Sequence, residues 1–370
     1  MQESQVWQRY FRVLRATLTA VDNRPCRRAS PVNTRALGTR TLGKEDAMAA
    51  AGASAAGRRP TPPLAVGLMI PNVEEMVAGA TARWSDIAEL ARVAEDSGID
   101  TLWVVDHLLF PPQGPRTTPL GAWECFSLLA ALAATTRRIA LGTFVACTTF
   151  RNPALLAKMA DTIEEISGGR LILGLGAGNV EAEHRAFGHP FAYRTSRFAE
   201  ALAIVHALLR TGHADFAGEY YQVRECELRP RGPRPSGPPL MLGTTGERGM
   251  RLAARYADTW NVPWGRTGNT AAGAAEYRAA VDAACVAEGR DPATLARSAG
   301  VLVELPGAAP YPPGYPAQVV PPITGTPADL AEQFREYTRA GIADLQVWVN
   351  PPTAAGVEYV ATALALLERA

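Results

Sequence analysis

Three short stretches carry residue types suited to catalysis or cofactor binding. The first is Trp103-Val-Val-Asp106-His107, which closes an apolar run with an acid and an imidazole. An imidazole at a strand end can donate a hydrogen bond or exchange a proton near neutral pH. Alone, the pair reads equally as an Asp that caps the next segment beside a His that packs. The second stretch is Gly174-Leu-Gly176-Ala-Gly178-Asn179, whose glycines let a backbone approach a flat or phosphorylated ligand. Its GxGxG spacing and its place in a fourth βα unit separate it from the dinucleotide-binding fingerprint, and chain geometry alone could demand such a turn. The third is Gly243-Thr244-Thr245-Gly246-Glu247-Arg248, ahead of a helix. Backbone N–H groups at a helix start, two hydroxyls and a guanidinium suit a phosphate, although a capped turn with a solvated Arg would read the same way.

What is missing narrows the chemistry further. There is no GxGxxG in a first βα unit, no GxxxxGK motif, no HExxH and no GxSxG, which disfavours nucleotide-triphosphate, zinc-protease and α/β-hydrolase mechanisms. His184 and His189 flank Phe187, His206 falls in a predicted helix and His213 in a turn, so none pairs at metal-ligand spacing and no metal is assigned. The five cysteines (Cys26, Cys125, Cys147, Cys226, Cys285) are odd in number and never spaced as CxxC. They fit a reducing cytoplasm better than a disulfide framework. With 37 basic and 36 acidic residues the formal charge is +1, too little to hold a polyanion. A small-molecule substrate is therefore expected, with neither nucleic acid nor membrane as partner. No apolar run reaches the roughly 20 residues of a membrane-spanning helix.

These residues must be held by a larger frame. From Leu64 onward, short apolar runs bounded by Gly, Pro or Asp alternate with longer amphipathic stretches, the pattern of a parallel sheet covered by helices. Strands are expected at Leu64–Ile70, Thr101–Asp106, Ile139–Val145, Leu171–Gly174, Leu240–Gly243, Thr259–Val262, Gly300–Glu304 and Asp344–Val349. Helices are expected at Ser85–Ser97, Ala122–Ala134, Pro153–Ile166, Ser196–Leu209, Arg248–Ala257, Ala274–Glu288, Pro327–Ala340 and Val357–Leu367. Asn152-Pro153 and Thr326-Pro327 each set a capping side chain before a proline at the first helical position. Gly98-Ile99 with Leu102 and Val104 recurs as Gly341-Ile342 with Leu345 and Val347. Eight units with such an echo fit a (β/α)8 TIM barrel with insertions after strands 4 and 7, and a doubly wound sheet is the competitor. The insertions are His184–Pro239, with a hairpin at Asp215–Val223, and the proline-rich Pro306–Pro322. Residues 1–63 are Arg-rich, then rich in small residues, without either hydrophobic period, and read as a disordered N-terminal extension to a 64–370 barrel domain.

Taken in order, Asp106-His107, Arg151-Asn-Pro-Ala-Leu-Leu-Ala-Lys158, Ser167-Gly-Gly-Arg170, the glycine run to Gly178, Glu183-His-Arg-Ala-Phe-Gly188, Gly246-Glu-Arg248, Arg255-Tyr-Ala-Asp258 and Trp260-Asn261 resemble the luciferase-like monooxygenase superfamily. Within it the chain looks most like the oxidoreductases that depend on the deazaflavin coenzyme F420. The resemblance implies a (β/α)8 barrel, a homodimer, and a cofactor at the C-terminal ends of the strands. It places His107 and Asp106 near the reactive ring. It places Thr143, Phe144 and Val145 at a strand-three bulge behind that ring, often with a non-proline cis peptide, expected here at Phe144–Val145. It gives Gly176, Gly178 and Asn179 to the cofactor, and Gly243, Thr244, Thr245, Gly246 and Arg248 to its phosphate. Asn179 stands where some relatives carry a proton-donating Glu or an aromatic residue, and an amide supplies no proton at neutral pH, so Glu181 or His107 would have to serve as the acid. The expected activity is hydride transfer between coenzyme F420 and a small organic substrate. A flavin monooxygenase using reduced FMN and oxygen, and a non-catalytic cofactor-binding homologue, are the alternatives.

Overall fold

Glycines, prolines and capping side chains cut the chain where strand gives way to helix and back. The computed structural model describes residues 64–112, 115–309 and 320–368. The expected extension at 1–63 and most of the proline-rich insertion at 306–322 lie outside the described residues. The barrel strands are β1 (Ala65–Met69), β2 (Thr101–Val104), β3 (Ala140–Thr143), β4 (Leu171–Gly176), β5 (Leu240–Gly243), β6 (Thr259–Val262), β7 (Ala296–Glu304) and β8 (Asp344–Asn350). The helices are α1 (Trp84–Asp96), α2 (Cys125–Thr135), α3 (Pro153–Ser167), α4 (Glu181–Ala186), α5 (Arg194–Thr211), α6 (Glu247–Tyr256), α7 (Trp264–Thr267), α8 (Ala271–Ala287), α9 (Pro327–Arg339) and α10 (Ala354–Glu368). All barrel pairings are parallel and sequential, and β8 returns to β1 through Leu68↔Val347, so the sheet closes on itself as a (β/α)8 barrel. Closure removes every strand edge and excludes the doubly wound alternative.

The period of two along each strand divides the core. On β2, Leu102 joins a cluster that includes Ile87 and Leu90 of α1 and Phe126 of α2, between sheet and helices. Its neighbour Trp103 joins Met69, Met241, Leu302 and Trp348 in a second cluster, inside the barrel, against which Trp264 of α7 packs. The Trp103 indole fits there because β1 and β3 present glycine beside it. A Cβ on Gly67 or Gly142 would lie 2.2 Å from an indole atom.

Helix ends follow the sequence signals. Asn152 accepts from the N–H groups of Ala154 and Leu155 ahead of α3, and Thr326 with Asp329 closes a capping box ahead of α9. Gly98 and Gly341 both take positive φ, at 81° and 80°, where α1 and α9 turn into β2 and β8. Elsewhere the boundaries move. The helix expected from Ala122 begins at Cys125 because Glu124 caps it, accepting from Phe126 and Ser127. The strand expected from Gly300 begins at Ala296: Arg297 and Ser298 look polar, but Arg297 pairs with Asp282 and the buried Ser298 hydroxyl accepts from Asn261 Nδ2. The insertion hairpin lies at His213–Ala217 and Gln222–Glu227 rather than Asp215–Val223. The short helices α4 and α7 carry too few turns to show a period.

Candidate active site

A cavity of about 770 Å³ opens at the C-terminal ends of the strands, where a (β/α)8 barrel places its chemistry. Among the predicted residues, Asp106, His107, Phe144, Val145, Gly176, Gly178, Asn179, Gly243, Thr244, Thr245, Gly246 and Arg248 all line it. Thr143 and Glu181 do not. Thr143 is fully buried behind the wall, donating from Oγ1 to the Gly174 carbonyl at 2.6 Å. Glu181 is exposed on the first turn of α4.

The carboxylate that reaches the site is Glu183. Two residues apart on a helix point about 200° around the axis from each other, so α4 turns Glu181 to solvent and Glu183 inward. Glu183 Oε1 lies 3.0 Å from His107 Nδ1, and Oε2 accepts from the backbone N–H groups of Leu108 at 2.9 Å and Leu109 at 3.3 Å. Burial raises this carboxyl, but His107 and the two amides outweigh it and hold Glu183 below the usual carboxylate range. Such a carboxylate keeps the His107 proton on Nδ1 and leaves Nε2 as the other ring nitrogen for the cavity. The ring also packs on Phe110, with centroids 4.2 Å apart.

Asp106 is built into the wall. Its Oδ2 accepts from Arg151 Nη1 at 2.7 Å and from the Cys147 N–H at 2.9 Å, and Oδ1 accepts from Arg151 Nη2 at 2.9 Å. Arg151 reaches on to Glu124 at 2.6 Å and lies over the Phe126 ring. Asp106 therefore links β2, the segment after β3 and the cap of α2. It is an anchor for the neighbouring His107, with both oxygens engaged, and is not a free acid.

The wall after β3 breaks register as expected. Gly142 pairs with Ile172 and Ala146 with Leu175, so four steps on one strand meet three on the other, a bulge at Phe144 and Val145. The Phe144–Val145 peptide is cis. Phe144 stacks parallel to Trp264 at 6.2 Å. Opposite, Gly178 takes φ of 75°, and a Cβ there would fall 2.6 Å from Cys147 Sγ and 2.8 Å from the His184 ring, so only glycine lets the backbone pass. Asn179 is exposed at the cavity edge. His184 is buried behind it. Its Nδ1–H donates to the Val180 carbonyl and its Nε2 meets Thr149 Oγ1 at 2.8 Å, which ties α4 to the barrel. Burial pushes the Cys147 thiol up to about 11.

At the mouth, Gly246 caps α6 without a side chain, so the first N–H groups of that helix are left for a ligand. Arg248 donates to Ser196 Oγ at 3.1 Å, and Arg194, Thr195 and Arg266 line the same cavity. These last three lay in no motif, and only the fold brings them to the loop. Glycine backbone, an open helix N-terminus and guanidiniums fit a flat ring carrying a phosphate. Among the described residues, no cluster of His, Cys, Asp or Glu could hold a metal ion, and no helix is long and apolar enough to cross a membrane.

The chain matches the family described as luciferase-like monooxygenase over residues 64–305. An F420-dependent glucose-6-phosphate dehydrogenase of Amycolatopsis mediterranei is 33% identical over 178 residues, 47% of this chain and 51% of that protein. A pyrimidine monooxygenase of Cronobacter sakazakii is 34% identical over 173 residues, 45% of this chain and 50% of that protein. The chain thus spans about half the length of these curated relatives. Among solved structures, an F420-dependent secondary alcohol dehydrogenase in complex with an F420-acetone adduct superposes with a TM-score of 0.68 at 17% identity, covering 82% of this chain and 99% of that one. At that identity the likeness speaks for the fold.

Proposed function

The chain belongs to the luciferase-like monooxygenase family, and from that premise we propose that it is an oxidoreductase that passes hydride between coenzyme F420 and a small organic substrate. The observation that carries this reading is the His107–Glu183 pair at the cavity wall, 3.0 Å apart. Bound there, the deazaflavin ring would supply the hydride chemistry. The bulge at Phe144 and Val145 would back the ring, the glycines to Gly178 would let it lie close, and the loop from Gly243 with Arg248 would hold its phosphate. Glu183 keeps the proton on Nδ1 of His107, so Nε2 can take a proton from a substrate hydroxyl, or return one in the reverse direction. Asn179 neither takes nor gives that proton, and the exposed Glu181 stands outside the cavity. Two F420-dependent relatives, the dehydrogenase above and a hydroxymycolic acid dehydrogenase of Mycobacterium tuberculosis at 32% identity, support this choice.

A second reading, an FMN-dependent monooxygenase, is favoured by the pyrimidine monooxygenase at comparable identity and coverage. Fluorescence titration of the purified protein with each cofactor separates the two. Binding of F420, followed by turnover on a panel of alcohols, imines and enones, is the expected result. Tight binding of FMN with none of the deazaflavin would overturn it.

A further inference from the structure

A chain of polar side chains, buried beyond its half-buried first member Asp344, runs through the barrel from its foot to the cavity. At the foot, Asp344 Oδ2 accepts from Gln346 Nε2 at 2.8 Å. Gln346 Oε1 accepts from Asn261 Nδ2 at 2.7 Å, and the same Asn261 nitrogen donates to Ser298 Oγ at 3.0 Å. Ser298 passes its own hydrogen to the Trp260 carbonyl at 3.3 Å. Gln346 and Ser298 are fully buried, and Asn261 lines the cavity.

The direction of this chain follows from its first member. While Asp344 is ionised it only accepts, so Gln346 turns its NH2 toward Asp344 and its oxygen toward Asn261. Asn261 must then donate, and both of its amide hydrogens are engaged below. Its Oδ1 has no partner among the described residues and belongs to a cavity-lining side chain. We infer that Gln346 is a positioning residue that holds Asn261 with its carbonyl toward the cavity, making Asn261 a hydrogen-bond acceptor for the ring N–H of the bound cofactor. This rests on the reading of the cavity as a site for a flavin-type ring, whose pyrimidinedione carries an imide N–H.

Asp344 ties the relay to pH. Burial, then Asp100 at the foot of β2, push its carboxyl up to about 7. Of the strands flanking it, β1 carries no titratable side chain, and Arg297 of β7 is engaged with Asp282. A protonated Asp344 can donate to Gln346, which frees both amides to reverse and to present Asn261 Nδ2 instead.

Fluorescence titration with F420 and with FMN, on wild-type protein and on variants whose melting temperatures are recorded, tests the inference. For the cofactor that wild-type protein binds, Asn261→Leu and Gln346→Leu should each raise Kd about five- to tenfold, the weight of one hydrogen bond. The double variant should be no worse than Asn261→Leu, because Gln346 acts through Asn261. The near-isosteric Asp344→Asn should keep the fold and lose the rise in Kd that wild-type protein shows as pH falls through about 7, because its amide does not titrate. Unchanged binding in Asn261→Leu, or losses that multiply in the double variant, would overturn the inference alone. Failure of wild-type protein to bind either cofactor would overturn the functional reading and the inference with it.

Discussion

Glu183→Gln keeps the shape of a buried side chain and changes what it can accept. The native carboxylate takes hydrogen bonds from His107 Nδ1 and from the amides of Leu108 and Leu109. A glutamine has one acceptor oxygen and two donor hydrogens. The backbone amides cannot turn, so the oxygen must stay with them and the new NH2 must face His107. The imidazole can meet that donor only by moving its proton to Nε2, which turns the cavity-facing nitrogen from acceptor to donor. A charge-assisted hydrogen bond of this kind contributes ~1.5–3 kcal/mol, and general-base assistance ~10²–10⁴-fold in rate. Glu183→Gln should therefore lower kcat at least ~10²-fold in the direction where His107 takes a proton, while cofactor Kd changes far less. Steady-state kinetics on the F420-loaded protein, with nitrogen-15 NMR of labelled histidine, would read both consequences. Turnover within about threefold of wild type, or a ring proton still on Nδ1, would refute the reasoning. The pH dependence follows the same carboxylate. Because Glu183 is held below its ordinary value of 4.5, its pairing contributes stability above that pH, and the loss comes only as pH falls through the lower folded value.

Three further outcomes are open to measurement. His107→Ala should lower kcat ~10²-fold or more with a modest rise in cofactor Kd, and His107→Asn should recover part of the loss if donation is the role; a variant that is less stable but fully active would remove His107 from the chemistry. Arg248→Ala should weaken binding of a phosphorylated cofactor and leave binding of dephosphorylated riboflavin unchanged, with the difference shrinking at high salt; equal losses for both would place Arg248 away from the phosphate. Arg151→Met leaves the carboxylate of Asp106 buried without its cation, which costs ~3–5 kcal/mol when one partner of a buried pair is removed, so the melting temperature should fall by many degrees; an unchanged melting temperature would show that the pair carries little.

Much of the frame is local in origin and was legible in the letters. Short apolar runs bounded by Gly, Pro or Asp mark the barrel strands, and Asn152-Pro153 and Thr326-Pro327 start helices through atoms two or three residues away. The barrel order, the cavity-lining loop at Gly243–Arg248 and the bulge at Phe144 and Val145 came from such patterns and from the motifs of the resemblance. The pairings that make a site are of another kind. His107 meets Glu183 across 76 positions, Asp106 meets Arg151 across 45, and Asn261 meets Gln346 across 85. Letters alone favoured Glu181 over Glu183, since α4 is too short to show which of its faces turns inward. Periodicity determines which elements form because it acts within a few residues. Only barrel closure determines which charged side chains share a buried space, where burial makes each partner decisive.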